Sequence, residues 1–190
     1  MDKLYIPFAS SHIAYFLILT FRNTFVNISN KLDMKPYNLV NFIVILSKVS
    51  QVISIYCLTF KLIHLDNCQY NIDYFNITIN LINVFSGQLL NYHVYKQLGI
   101  KGVCYGVFFG EHIPWVTEFP FNIKYMAHPQ YLGTWLTYIA LLDLYKKNIY
   151  CNNYNSFYHR ISKLQVLITV LYFFSAKFET YKYRQFIKNR

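Results

Sequence analysis

Charge is missing from this chain in long, well-separated runs. Between Tyr74 and Tyr95 there is no Asp, Glu, Lys or Arg, and between Leu39 and Phe60 Lys48 is the only one. Each run is long enough to cross a bilayer as a helix. The interval 164–176 is also uncharged and becomes a span if Lys163 and Lys177 reach outward along their aliphatic stems. Tyr131 to Leu142 does the same with help from Tyr145, Lys146 and Lys147. The pattern predicts four spans at about 39–62, 74–95, 131–146 and 161–178. A fifth apolar stretch, Leu4 to Phe21, contains Pro7, two serines and His12. It reads as a re-entrant or interfacial helix or as a weak fifth span. The expected fold class is an all-α integral membrane protein.

Composition agrees. The chain is 55% hydrophobic, 20% aromatic and 14% charged, with a mean hydropathy of +0.22, too apolar for an ordinary soluble domain. At 190 residues it has room for a single domain. The net charge of +10 would suit a nucleic-acid partner, but the basic residues fall in the loops and tails, as at anionic headgroups, so nucleic acid is excluded as a partner. With these spans, the N-terminal stretch, the 96–130 loop and the C-terminal tail share one face, which, counting Lys177 at its border, holds 12 of the 18 Lys and Arg. The positive-inside rule places that face and both termini in the cytosol. The first apolar run lacks a basic n-region and a cleavage site, so no cleaved signal is expected. The four cysteines form no C-x-x-C pair, and no metal site is expected; Cys68 and Cys151 share the non-cytosolic side and could pair. The sequons at Asn27 and Asn76 do not decide the topology, one being expected cytosolic and the other too near the membrane.

All six glycines and three of the five prolines lie between Gly87 and Gly133. Special backbone set between membrane helices usually lines a cavity or is buried in protein. Gly87 and Gln88 interrupt an apolar span, followed by Asn91 and His93; they serve either close helix packing or a ligand cavity. Gly99, Gly102, Gly106 and Gly110 would form one smooth face on a continuous helix. The segment EHIPWVTEFPF (111–121) is broken by two prolines and carries the acid–base groups Glu111, His112 and Glu118. HPQYLG (128–133) opens the third span with His128 and Tyr131 on one side of its first turn, and its free N–H groups could receive an anion.

Taken in order, Gly87-Gln88 with Asn91, VYKQLGIKGVCYGVFFG (94–110), IPWVTEFPF (113–121) and HPQYLG (128–133) resemble the small phospholipid N-methyltransferases, most of all the plant and protist phosphatidyl-N-methylethanolamine type. The H-P-x-Y piece alone is shared with isoprenylcysteine carboxyl methyltransferases. The strong likeness covers 87–133, and a weaker one extends over a single membrane-embedded methyltransferase domain, 1–190. The resemblance implies an S-adenosylmethionine-dependent enzyme of the endoplasmic reticulum membrane. Its substrates would be phosphatidyl-N-methylethanolamine and its dimethyl form, or phosphatidylethanolamine itself, and its product phosphatidylcholine. The family's cofactor contacts fall on Phe85, Ser86, Gly87 and Gln88, on His128, Pro129, Tyr131 and Gly133, and on Glu179. Two departures stand out. Phe85 replaces a small residue of the animal motif, and Ser175 and Ala176 stand where further carboxylates are expected.

Methyl transfer from a sulfonium to an amine is an in-line displacement that asks mainly for positioning. The amine must be neutral, so an acceptor should take its proton; Glu118 and His112 are the catalytic candidates, with Glu111 behind them. Trp115 and Tyr131 could hold a methylated ammonium by cation–π contact. The lipid would enter sideways from the bilayer, with its phosphate near Lys101, Lys124 or Arg184. The competing expectations are a prenylcysteine carboxyl methyltransferase and an inactive membrane scaffold of the same architecture.

Overall fold

Each charge-poor run forms one long helix in the computed structural model, which describes residues 6–65, 69–114, 116–123, 128–150 and 154–188. The helices are α1 (Ile6–Thr20), α2 (Arg22–Lys31), α3 (Pro36–Leu65), α4 (Tyr74–Val103), α5 (Pro129–Asn148) and α6 (Tyr154–Lys188). Two-residue strands β1 (Gln69–Tyr70) and β2 (Ile149–Tyr150) pair antiparallel, Gln69 opposite Tyr150, and tie two interhelix turns together. The helix starts follow local chemistry. Pro36 and Pro129 open α3 and α5, where a missing N–H costs nothing. The Asp73 side chain caps α4 by accepting from the Asn76 N–H at 3.1 Å.

Two of the helices contain segments long and apolar enough to cross a membrane, Pro36–Cys57 and Tyr158–Lys188. α4 is as long as α3, but its amides Asn76, Asn80, Asn83, Gln88 and Asn91 dilute its apolar character. The N-terminal stretch resolves into the 15-residue α1, about 22 Å long at 1.5 Å per residue and short of a bilayer core of about 30 Å. It packs instead against α3 and α6.

Side chains are sorted inside out relative to a soluble bundle. Ser11, His12, Gln51, Asn76 and Asn80 are buried, while Phe42, Ile45, Leu46, Val49, Val52 and Ile53 are exposed along α3. The buried polar groups find each other. Gln51 Nε2 donates to Ser11 Oγ at 3.0 Å, and the Tyr138 hydroxyl donates to Gln51 Oε1. Asn80 Nδ2 donates to Asp143 at 3.2 Å, and Lys147 pairs with the same carboxylate at 3.0 Å. Apolar packing divides between two clusters. One is built around Phe8, Tyr138, Leu142, Ile161 and Ile168; the other around Val40, Val94, Val103, Cys104 and Phe108.

α4 packs most extensively against α5, and glycine is the reason. A Cβ on Gly87 would lie 2.4 Å from the Gly133 carbonyl oxygen, and one on Gly133 would lie 2.6 Å from that of Gly87. Past this contact the smooth glycine face expected from the spacing does not form. α4 kinks at Gly99, whose φ of 61° and ψ of −179° only glycine adopts readily. Gly106 then falls in a separate 3-10 helix, Gly106–Phe109, which ends at Gly110 with φ 88°.

Candidate active site

The first turn of α5 is the meeting point of three cavities. One, of about 220 Å³, lies between α4, α5 and the end of α6; it is lined by Gly102, His128, Gln130, Tyr131, Glu179 and Tyr183, among others. A second, of about 610 Å³, opens between α3, α4 and α5 and shares Gln130 with the first. A third, of about 250 Å³ and almost wholly apolar, lies between α1 and α6 and shares Tyr131.

Polar contacts converge on the same turn. His128 Nε2 and Thr180 Oγ1 are 2.7 Å apart, and the His128 ring meets Tyr131 edge-on at 5.7 Å. The Tyr131 and Tyr105 hydroxyls are 2.7 Å apart, and the Glu179 side chain lies close enough to act on both. Pro129 at the helix start and the side-chain contacts of His128 and Tyr131 fix this turn against α6. Burial first, and then the Lys177 ammonium, hold His128 below its ordinary value of 6.5, so the imidazole is neutral at pH 7. Tyr105 carries a left-handed backbone, φ 61°, which is uncommon outside glycine and turns its phenol inward.

The expected site residues divide by position. His128, Pro129, Tyr131 and Glu179 line one cavity together. Gly87 and Gly133 face each other, and Gln88 Nε2 donates to Thr137 Oγ1 at 2.9 Å, so both halves of the motif pair brace α4 on α5. Gln88 also borders the larger cavity. Phe85 is exposed and Ser86 half-buried. Glu118 and His112 are exposed and line none of the three cavities, and Glu111 is paired with Lys101 at 3.0 Å. The proton-acceptor role expected of these residues finds no support in the geometry. Arg184 is exposed. The expectations placed on Trp115, Lys124 and a Cys68–Cys151 pair fall outside the described residues; among those described, Cys57 and Cys104 are free thiols.

Three participants carry no signal that spacing alone would reveal. Tyr105, from the middle of the chain, and Thr180, from near its end, contact the site from outside the motifs. Ser175, where the resemblance led a carboxylate to be expected, has its Oγ 2.7 Å from His12 Nδ1 of α1. That position is occupied by a long-range polar contact across 163 residues.

A family model for phospholipid methyltransferases matches residues 75–181, more than half of the chain and the whole of this site's α4, α5 and Glu179. The chain belongs to that family. Among relatives, phosphatidyl-N-methylethanolamine N-methyltransferase of Arabidopsis thaliana is 52% identical over 57 residues, which cover 30% of this chain and 34% of the relative. The match therefore spans about a third of that relative's length. No solved structure matches.

Proposed function

We propose that this chain methylates the headgroup amine of a phospholipid with S-adenosylmethionine. The substrates we assign are phosphatidyl-N-methylethanolamine and phosphatidyl-N,N-dimethylethanolamine, and the product phosphatidylcholine. Family membership and the similarity to a relative named for the monomethyl lipid support this reading. The observation that carries it is the single α5 turn that borders both the Glu179 cavity and the larger cavity between α3 and α4. Donor and acceptor held on the two sides of Gln130 would meet within one site.

The residues present fit the cofactor. Its sulfonium and ammonium are cationic, and the smaller cavity offers the Glu179 carboxylate with the Tyr131 phenol beside it. When bound, S-adenosylmethionine supplies an activated methyl group. The protein's part is then positioning: His128 and Pro129 fix the turn, Tyr131 orients Glu179, and the Gly87–Gly133 contact sets the separation of α4 and α5. Tyr131 also presents an aromatic ring to an ammonium that gains methyl groups. The headgroup ammonium must first give up its proton to become the nucleophilic amine, and water reaching the open cavity would take it, since the loop acids line neither chamber. Of the α4 residues that the resemblance assigns to the cofactor, Gln88 borders the larger cavity, whereas Phe85 and Ser86 line none of the three. Ser175 is engaged by His12, which weighs against reading its missing carboxylate as the mark of an inactive scaffold.

For placement we propose a single domain in the endoplasmic reticulum membrane. Four spans carry the 96–130 loop and both termini on the cytosolic side. The exposed aliphatic belt of α3 and the uneven distribution of Lys and Arg support that orientation. The test is product analysis by mass spectrometry of the chain in lipid nanodiscs, supplied with S-adenosylmethionine and, in turn, the unmethylated lipid, the monomethyl lipid and a prenylcysteine peptide. Dimethyl lipid and phosphatidylcholine from the monomethyl substrate support the assignment. A methyl ester on the peptide, or no product from any acceptor, overturns it.

A further inference from the structure

Lys48 stands where an unbalanced charge is costly. It lies near the middle of the apolar α3 segment, half-buried, beside the Tyr138 and Tyr172 rings and close enough to His12 to act on it electrostatically. Its Nζ donates to the Tyr172 hydroxyl at 3.2 Å and lies 5.0 Å from the Tyr138 ring centre and 5.8 Å from that of Tyr172. The ion pairs found among the described residues are Lys101–Glu111 and Lys147–Asp143, and neither reaches it. A cation at such a depth is stable when it meets an anion or faces a wet cavity. Lys48 faces the 610 Å³ cavity, whose inner wall carries Gln88, Asn91, Thr134 and Thr137. The mouth of that cavity is different: Ile45, Val49 and Val52 are 51%, 50% and 61% exposed. A chamber with one cation, a few amide and hydroxyl groups on one wall and an aliphatic rim matches an amphiphile with an anionic group. It does not match an ion arriving from water.

We propose that Lys48 binds the phosphodiester of the bilayer lipid, taken in between α3 and α4 with its acyl chains leaving over Ile45, Val49 and Val52. This deepens the phospholipid methyltransferase reading and rests on it for the identity of the headgroup. The spacing along α5 supports the pose. Thr134 lines the same cavity as Lys48, and its hydroxyl accepts from Asn91 Nδ2 at 3.4 Å. Gln130, which borders the Glu179 cavity, lies four residues from Thr134, about 6 Å along the axis. That distance is comparable to the reach of an ethanolamine arm, so a phosphate at Lys48 places the amine at the junction of the two cavities. Of the three cations expected to hold the phosphate, Lys101 has its charge matched by Glu111, whose hydrogen bond pushes the Lys101 ammonium above its ordinary value, Arg184 is exposed, and Lys124 lies outside the described residues.

The test compares binding of labelled phosphatidyl-N-methylethanolamine and of diacylglycerol with the same chains to the detergent-solubilised full chain. The proteins are wild type, Lys48→Met and Lys48→Arg. Loss of a charge-assisted contact should weaken phospholipid binding by about tenfold or more in Lys48→Met, leave diacylglycerol binding unchanged, and be largely rescued in Lys48→Arg. In turnover, KM for the lipid should rise while KM for S-adenosylmethionine stays constant. Should Lys48→Met aggregate on gel filtration, Lys48→Gln carries the same expectation. Unchanged phospholipid affinity overturns the proposal. So does a rise confined to the KM for S-adenosylmethionine, which would give Lys48 to the cofactor's carboxylate. Full displacement of the lipid by millimolar inorganic phosphate also overturns it, because the site would then serve a soluble anion. A chain that binds phospholipid in a Lys48-dependent way yet transfers no methyl group would refute the enzymatic reading and leave the lipid site standing.

Discussion

Replacing Gly87 by alanine pushes a methyl group into space that two helices already fill. The added carbon would lie 2.4 Å from the Gly133 carbonyl oxygen, 2.6 Å from Thr137 Oγ1 and 3.2 Å from the Thr137 nitrogen. Ordinary contact begins near 3.4 Å, so α4 and α5 must separate by about 1 Å (3.4 − 2.4), because backbone on α5 cannot rotate away. Overpacking of this kind costs about 1–3 kcal/mol. Disturbing the Gln88–Thr137 bond at 2.9 Å adds about 0.5–1.5 kcal/mol. A loss of about 2–4 kcal/mol should lower Tm by on the order of 5–15 °C for a chain of this size, read by thermal unfolding in detergent. The two cavities meet on α5, and a 1 Å displacement of a positioned group can cost about a hundredfold in rate. Methyl transfer should therefore fall together with stability, and Gly133→Ala should behave alike. A Gly87→Ala protein with unchanged Tm and rate would refute the packing account. One with unchanged Tm but a sharply raised KM for S-adenosylmethionine would mean that the glycine serves the cofactor directly.

Other consequences can be checked alongside. Glu179→Gln removes the one carboxylate of the smaller cavity and should raise KM for S-adenosylmethionine by about tenfold or more, with Tm nearly unchanged. Glu118→Gln and His112→Ala, both on the exposed loop, should retain kcat within about twofold, a range in which surface substitutions commonly stay; a loss of a hundredfold or more in either would return the proton-acceptor role to that loop. His128 titrates below its ordinary 6.5, so its contribution to stability is complete above that pH and is lost as the pH falls through the folded value. Lys177→Gln removes one of the two causes, narrows the window between the unfolded and folded values, and should reduce the Tm lost on acidification through that window, with burial keeping part of the loss.

The long helices were legible because absence of charge is a local property. Runs such as 74–95 and 39–60 announce their length without reference to the rest of the chain. Pro36 and Pro129 mark helix starts for the same local reason. What fell short depended on backbone conformation or on distance along the chain. The glycine spacing from Gly99 to Gly110 looked helical, but positive φ at Gly99 and Gly110 divides it into different structures. The pair Gly87 and Gln88 could be read as packing or as cavity lining, and the choice needed Gly133 and Thr137, close to fifty residues away. His12 with Ser175 and Lys48 with Tyr172 are contacts across more than a hundred residues, invisible to any periodicity. The acid–base groups of the 111–121 loop stood out through chemistry alone; in the fold His112 and Glu118 are exposed and Glu111 is paired with Lys101.

The central claim is that the cofactor binds where Glu179 faces the first turn of α5. Direct ultraviolet crosslinking of labelled S-adenosylmethionine to the solubilised full chain, followed by peptide mapping, tests it most directly. The account predicts label on the peptides that carry His128–Tyr131 and Glu179–Tyr183, competed by S-adenosylhomocysteine and lost in Glu179→Gln. Competed label confined to the 111–121 loop, or label that survives Glu179→Gln unchanged, would contradict it.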